Sequence, residues 1–584
     1  MDRKAWIAIT LSIVGLFAWQ WYVSTTYPPT PPAPAPGASP TAASPTTPAP
    51  EQAAVAAPTP VPTPAPPIMA VRAESLTQKG AEFVFNNDSG GIEQVILQLH
   101  KGENNSSVSL NRDRLVPIGA LGFRPGEILG GFEMTTDKPD GEALFTKTTA
   151  DGLVIQKEFR VPPADDKGPL YTVGLQVSFT NPGTTPLEVP EFFVSTGGAA
   201  PIHVTDLPMY TRFDWSHGGK MEVIDVNWFS ASSIPLIGIP LRGERPLYSE
   251  RRENVDWAAV TSQYFCTIVT AKDTKGNAVW ARRFDTRKQN NTPVFGIQGA
   301  LGMPGFTVPP GSTVTRTFEI YAGPKELSRL RKLGPNQDHV MNFGWFGFVS
   351  EILLWGMNSL YALFGNYAAA IIVLTLIIKS LLWPVQNKAT TEMRKMAALS
   401  PKMTEMREKY KDDPQKMNEE IMKLYREYGV NPFSGCLPML IQIPIFFGFY
   451  AMLGVAIELR NASFFWIHDL SQPDTVAHVL GFPINLLPII MAGTMVWQMI
   501  ITPKSGDAVQ QRIFYFMPII FLVFCYNYAS ALALYWTTQN IFSIVQLYLT
   551  RNRPLPTLEK KSAVAKREAA AAATKKKKKR RALP

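Results

Sequence analysis

Lys379 lies inside IIVLTLIIKSLLWPVQ, residues 371–386, between the apolar runs Ile371–Ile378 and Leu381–Val385. A lone ammonium within a membrane helix costs ~2.5–3.5 kcal/mol on insertion scales, so its presence there points to a function. Its natural chemistry is attraction of an anion or of an acidic chain segment. Other polar residues also interrupt apolar stretches: Thr375, Gln442, Gln498 and the run Thr537-Thr538-Gln539-Asn540. Polar groups do not stay unpaired in lipid, so these should face a shared interior or a watered cavity. Singly, each is more commonly glue between helices. Snorkelling competes as a reading of Lys379, because seven residues at ~1.5 Å rise put it only ~10 Å from Gln386. Together with a cation, the set suggests a hydrophilic pocket in a small bundle. The cysteines, Cys266, Cys436 and Cys525, form no CxxC pair, and no Cys/His spacing suggests a metal site or cofactor.

The elements that would hold such a pocket follow from composition. The 584 residues are 46% apolar with a net charge of +10, too uneven for one domain or one class. MDRKAWIAITLSIVGLFAWQWYV opens with Arg3 and Lys4 and ends in Trp19, Trp21 and Tyr22. That pattern predicts an uncleaved signal anchor over residues 1–24, N-terminus in the cytoplasm. Residues 25–67 are Pro/Ala/Thr repeats that cannot bury a core and serve as an extended spacer. From 68 to 333 the pattern changes to short strands. YTVGLQVSF alternates Tyr171, Val173, Leu175, Val177 and Phe179 on one face, and FVFNNDSGGIEQVILQL reads as strand, turn, strand. A β-sandwich outside the cytoplasm is expected.

Beyond Asn342 the chain is membrane-like. Spans are expected at about Tyr367–Val385, Cys436–Ile457, Phe482–Ile501, Ile513–Tyr526 and Ala529–Leu549. Ten basic residues fall between the first two of these, whereas Glu458–Gly481 holds only Arg460. The positive-inside rule therefore places 386–432 and the C-terminal tail in the cytoplasm. The apolar segment 342–365 must then lie along the outer interface, which leaves six spans in all. The span Ile513–Tyr526, at fourteen residues, is short of the ~20 that cross a bilayer and predicts local thinning.

Within 386–432, Met396, Leu399, Met403, Met406 and Tyr410 form a heptad seam. Asp413 and Pro414 mark a helix start, followed by Met417, Ile421, Leu424 and Tyr428 at matching spacing. This predicts an antiparallel hairpin. Its seam either packs on itself or offers methionines to varied apolar partners.

Several stretches carry a resemblance to a known family. NPFSGCLPMLIQIPIFFGFY, IIKSLLWPVQ, WIHDLSQPD, and MPIIFLVF followed by ALYWTTQN resemble the YidC/Oxa/Alb family of membrane protein insertases, in its Gram-negative bacterial form with a large periplasmic domain. The resemblance implies a multi-domain membrane protein: an α-helical transmembrane bundle of six spans, five forming the core, an all-β periplasmic sandwich and a cytoplasmic helical hairpin. The bounds are 1–24 anchor, 25–67 linker, 68–333 β-domain, 342–365 interfacial helix, 366–550 core and 551–584 tail. It implies an insertase and chaperone of the inner membrane, not an enzyme, acting alone or with the Sec translocon. Its groove, open to cytoplasm and lipid, would comprise Lys379, where many relatives carry Arg, with Thr375, Gln442, Phe521, Phe524, Tyr535 and Trp536. Lysine keeps the charge but lacks the bidentate fork of arginine.

Nascent membrane proteins and the lipid bilayer are the implied partners, with Met396, Met403, Met406 and Met417 as client or partner contacts. The run Lys575, Lys576, Lys577, Lys578, Lys579, Arg580 and Arg581 would bind ribosomal RNA through phosphate contacts, or anionic lipid heads. A secondary transporter of a small anion, with Lys379 as counter-charge, is the competing reading, but no internal repeat between spans supports it. A sugar enzyme in the β-domain has no motif behind it: His100, His203 and His217 form no pair at catalytic spacing.

Overall fold

The computed structural model describes residues 75–551 apart from 103–104, 114, 136–140, 163–169, 204, 234–239, 287–293, 431–436 and 503–507. The expected anchor, the linker and the Lys575–Arg581 run lie outside the described residues.

Residues 75–324 form antiparallel sheets packed as a sandwich. In the strand Thr172–Thr180, Val173, Leu175, Val177 and Phe179 are buried, as the period of two predicts, and Tyr171 just before it is buried too. This strand pairs antiparallel with Thr313–Pro324 on one side and Val154–Arg160 on the other. A four-stranded sheet, Ser75–Gln78, Ala81–Asn86, Gly91–Lys101 and Ser107–Leu110, covers the larger one. The two meet through Phe85, whose ring lies 5.7 Å from that of Phe145 and 5.0 Å from that of Phe159. The turn read from NNDSGG closes with the Asn86 carboxamide accepting from Ser89 N at 3.0 Å. Gly90 there has φ +52, and a Cβ would stand 2.9 Å from Phe145 Cβ, so only glycine fits.

The helices follow in order: α1 Leu327–Leu333, α2 Gly347–Phe364, α3 Tyr367–Lys409, α4 Pro414–Tyr428, α5 Leu437–Val455, α6 Leu486–Ile501, α7 Ala508–Cys525 and α8 Ser530–Arg551. α2 packs on α3 and α5, α8 packs on α3 and α6, and α6 also packs on α7. Among the described residues, Gly344–Phe364 and Tyr367–Lys409 are long and apolar enough to cross a membrane, and Leu440–Val455, Leu486–Ile501 and Tyr515–Cys525 are shorter apolar stretches.

Three boundaries differ from expectation. α3 does not stop near Gln386 but runs 43 residues through Pro384 and Pro401. Each proline forfeits one backbone hydrogen bond, and the good helix formers around it carry the helix on. α7 begins earlier than expected, at Ala508, but the added residues AVQQR are largely polar, and its apolar stretch, Tyr515–Cys525, stays short. Phe482–Asn485 is not helical: it is a strand paired with Thr475–Val479. Pro483 and the preceding Gly481 disfavour the helix there.

α3 and α4 fold back on each other around Leu399, Tyr425 and Val430, with Met396, Met403, Ile421 and Tyr428 packed against them. Asp413 caps α4, accepting from Lys416 N at 3.0 Å, and Pro414 opens the helix, as read from the sequence. Met406 and Met417 are half-buried and lie outside this cluster, while Tyr425, absent from the predicted seam, is in it.

The sandwich is bonded to the helical region. Gln263 Nε2 donates to Gly454 O at 2.8 Å, Tyr264 Oη donates to Ser471 O at 3.1 Å, and the hydroxyls of Tyr210 and Tyr528 meet at 3.1 Å. Arg460, buried, donates to Lys101 O at 2.8 Å and contacts His203 Nε2 at 2.9 Å. Its guanidinium also lies 5.0 Å from the Phe265 ring centre.

Candidate functional site: a polar cleft among the helices

Lys379 comes from the middle of the apolar part of α3. The i, i+3 and i+7 positions of that helix put Lys379, Leu382 and Gln386 on one face. With Val385 they line a narrow cleft, closed by Ile441 and Gln442 of α5 and Gln546 of α8. Lys379 Nζ lies 3.4 Å from Ser543 Oγ on α8, and among the described residues no carboxylate pairs with it. The ammonium therefore faces a hydroxyl and glutamines, all neutral.

Gln442 links the cleft to the bundle interior. Its Nε2 donates to Tyr535 Oη at 2.9 Å and to Gln539 Oε1 at 3.0 Å, and Tyr535 Oη donates to the same Gln539 oxygen at 2.7 Å. Tyr535 is fully buried, its ring stacked at 4.1 Å on Phe449. Tyr535, Gln539, Ser543 and Gln546 recur at i, i+4, i+8 and i+11, a polar stripe along α8. Beside it, Phe521 lies 4.4 Å from Trp536, and Phe446 4.8 Å from Trp536, in an aromatic cluster.

The predicted residues thus separate. Lys379 and Gln442 share the cleft, Tyr535 joins them through Gln442, and Phe521 and Trp536 sit together. Phe524 joins that aromatic cluster one ring further on, stacked at 5.6 Å on Tyr450, which lies 6.2 Å from Phe446. Thr375 is not in the cleft: it is buried, and its hydroxyl donates to Ile371 O of its own helix at 2.7 Å. Sequence reasoning missed Gln386, Ser543 and Gln546. The signal that could have found them is the 3- and 4-residue spacing of polar groups along both helices. Other polar side chains act as glue: Asn540 Nδ2 donates to Thr494 Oγ1 at 3.0 Å, and Arg394 reaches Thr550 O at 2.6 Å. Among the described residues no group of His, Cys, Asp and Glu could hold a metal ion. The cleft offers one cation, without a carboxylate partner among the described residues, and several neutral hydrogen-bonding groups.

Two family models match adjoining parts of the chain: the YidC periplasmic domain over residues 127–356 and the 60Kd inner membrane protein over residues 359–556. The membrane protein insertase YidC of Citrifermentans bemidjiense is 31% identical over 573 residues, spanning 94% of this chain and 99% of that protein. The membrane protein insertase YidC of Geobacter sp. strain M21 is 32% identical over 483 residues, spanning 80% of this chain and 83% of that protein. A crystal structure of an active YidC insertase with its first transmembrane domain resolved aligns at TM-score 0.34 and 19% identity, covering 83% of this chain and 94% of that one. With a relative matched over nearly its whole length, and two family models side by side, the chain belongs to the YidC family of membrane protein insertases, inner-membrane proteins with a periplasmic β-domain.

Proposed function

We propose that the protein is a membrane protein insertase in which the Lys379 cleft transiently holds the polar part of an incoming chain. The observation that carries this reading is a cation with no carboxylate partner among the described residues, lining a cleft with Ser543 nearby and with Gln386, Gln442 and Gln546, in the apolar part of α3. In such surroundings the ammonium attracts acidic segments, and the amides replace hydrogen bonds that the client backbone gives up on leaving water. The client's apolar span meanwhile slides along α7, where Phe516, Ile519, Ile520 and Val523 are exposed, and passes into lipid. Burial of apolar surface drives that step. For acidic outer segments the membrane potential adds ~2.3 kcal/mol per charge per 100 mV. No covalent bond is made or broken. The names of the relatives favour this reading, and none of those above is a transporter.

The finer parts of the reading are proposals of the same kind. Six spans place both termini in the cytoplasm, with α2 along the outer interface and the five-span core at 366–550. The α3–α4 hairpin then faces the cytoplasm and meets clients or the Sec translocon through Met396, Met403, Met406 and Met417, of which Met406 and Met417 lie outside the hairpin's own core. The Lys575–Arg581 run meets ribosomal RNA.

Insertion of a single-span client with an acidic outer tail, in cells depleted of the native protein, tests the central claim. At equal protein levels Lys379→Arg should insert the client as wild type does. Lys379→Ala should lose several-fold, and Lys379→Glu should be worst. Equal insertion by all four would reduce Lys379 to a structural lysine.

A further inference from the structure

The hairpin Thr475–Asn485 is an apolar ribbon standing out from the helices. Its strands pair from Ala477↔Ile484 to Val479↔Phe482, with a register shift below Ala477 before Thr475↔Asn485, around a two-residue turn at Leu480 (φ +52) and Gly481 (φ +81). Turns of this kind take Asn or Asp at the first position when they face water, because those residues tolerate positive φ. Here the position is leucine, completely exposed at 103%, with Val476, Val479 and Phe482 about half exposed around it. No Asp, Glu, Lys or Arg occurs from Thr475 to Asn485. Beside the ribbon, Phe465 is 83% exposed and Trp466 40%.

The base is held firmly. Asp474 Oδ2 accepts from Leu487 N at 2.6 Å and from Trp466 Nε1 at 3.0 Å, and Asn485 Nδ2 donates to Tyr526 O at 2.6 Å. The ribbon therefore projects as a fixed feature of the β-domain end of the bundle, since Tyr264 of the sandwich bonds Ser471 close by. It leads directly into α6, whose 16 residues rise only ~24 Å against a hydrocarbon core of ~30 Å.

We propose that this hairpin seats in the acyl–headgroup boundary of the outer leaflet, completing the apolar height that α6 lacks. The partner is lipid, a choice the observations favour through the absence of charge, the flanking aromatic residues and the continuity with a short span. The paired backbone suits the boundary, while the outer strand edges keep the ribbon from the hydrocarbon centre. The proposal rests on the membrane reading of the helical region.

The test uses full-length protein carrying Cys436→Ser in phospholipid vesicles; Cys266 and Cys525 are buried and do not label. Nitroxide labels go at Leu480→Cys, at Val523→Cys on the exposed face of α7, and at Thr184→Cys on an exposed loop of the sandwich. Collision rates are measured with oxygen, which enriches in lipid, and with a water-soluble nickel chelate. Leu480→Cys should lose most of the nickel collisions seen at Thr184→Cys while keeping oxygen collisions near those at Val523→Cys. Nickel collisions equal to those at Thr184→Cys, with Val523→Cys still lipid-exposed, would overturn the hairpin proposal alone. So would protection from both reagents with line broadening that vanishes on dilution by unlabelled protein, which indicates a second copy. Water-like behaviour at Val523→Cys would overturn the membrane reading together with the proposal.

Discussion

Single residues at the junction of sandwich and helices make stability depend on pH. Burial, and next the nearby Arg460 guanidinium, push the His100 imidazole down to about 4, with Glu326 opposing. The unfolded chain takes up that proton near pH 6.5 and the folded one refuses it until about pH 4. This contribution to stability is therefore intact above pH 6.5 and is lost as pH falls from 6.5 to 4. Allowing for partial exposure, the loss is ~1–2 kcal/mol. Thermal melts of detergent-solubilised protein should show a slope in that window that flattens in His100→Gln; an unchanged slope would assign it to other groups. Residue by residue, the site was legible where one polar group breaks an apolar run, as with Lys379 and Gln442. Thr375 was misplaced because a threonine in a helix can satisfy itself on the carbonyl four residues back. Ser543 and Gln546 escaped because their relevance depends on how α8 is rotated against α3 and α5, which is a tertiary fact.

At the scale of elements, α4 depends on its first turn. Asp413 is its cap, and Asp413→Ala should cost ~1 kcal/mol. Faster amide exchange over residues 414–418, with α3 unchanged up to Leu399, would report the frayed end; uniform exchange along both helices would mean that the cap governs the whole hairpin. The strands of the sandwich were readable because one face is buried and the other is not, so a period of two survives in Tyr171–Phe179. The helix boundaries were harder. Pro384 looks like a stop at the end of the apolar span, yet the good helix formers around it carry α3 through it and through Pro401. The ribbon at Thr475–Asn485 was read in part as span, because an apolar segment entering a membrane helix has the same composition whether it is strand or helix.

For the whole molecule, the packing of sandwich on helices hinges on a missing side chain. A Cβ on Gly454 would stand 2.3 Å from Tyr528 Oη and 2.5 Å from Tyr210 Oη. Gly454→Ala should therefore push the two domains apart at that point, at ~1–3 kcal/mol. Removing both hydroxyls, Tyr210→Phe with Tyr528→Phe, should restore part of the loss, and the coupling would show in a double-mutant cycle of proteolysis rates. Additive effects would place the strain elsewhere. α3 has a mechanical consequence of its own. Its 43 residues make a shaft ~65 Å long, with Lys379 partway along and the seat of α4 at its far end. Between those two points α8 braces the shaft, through Trp383 against Phe542, Gln546 on Asn387 and Arg394 on Thr550 O, so the ammonium and the hairpin stand on one clamped element.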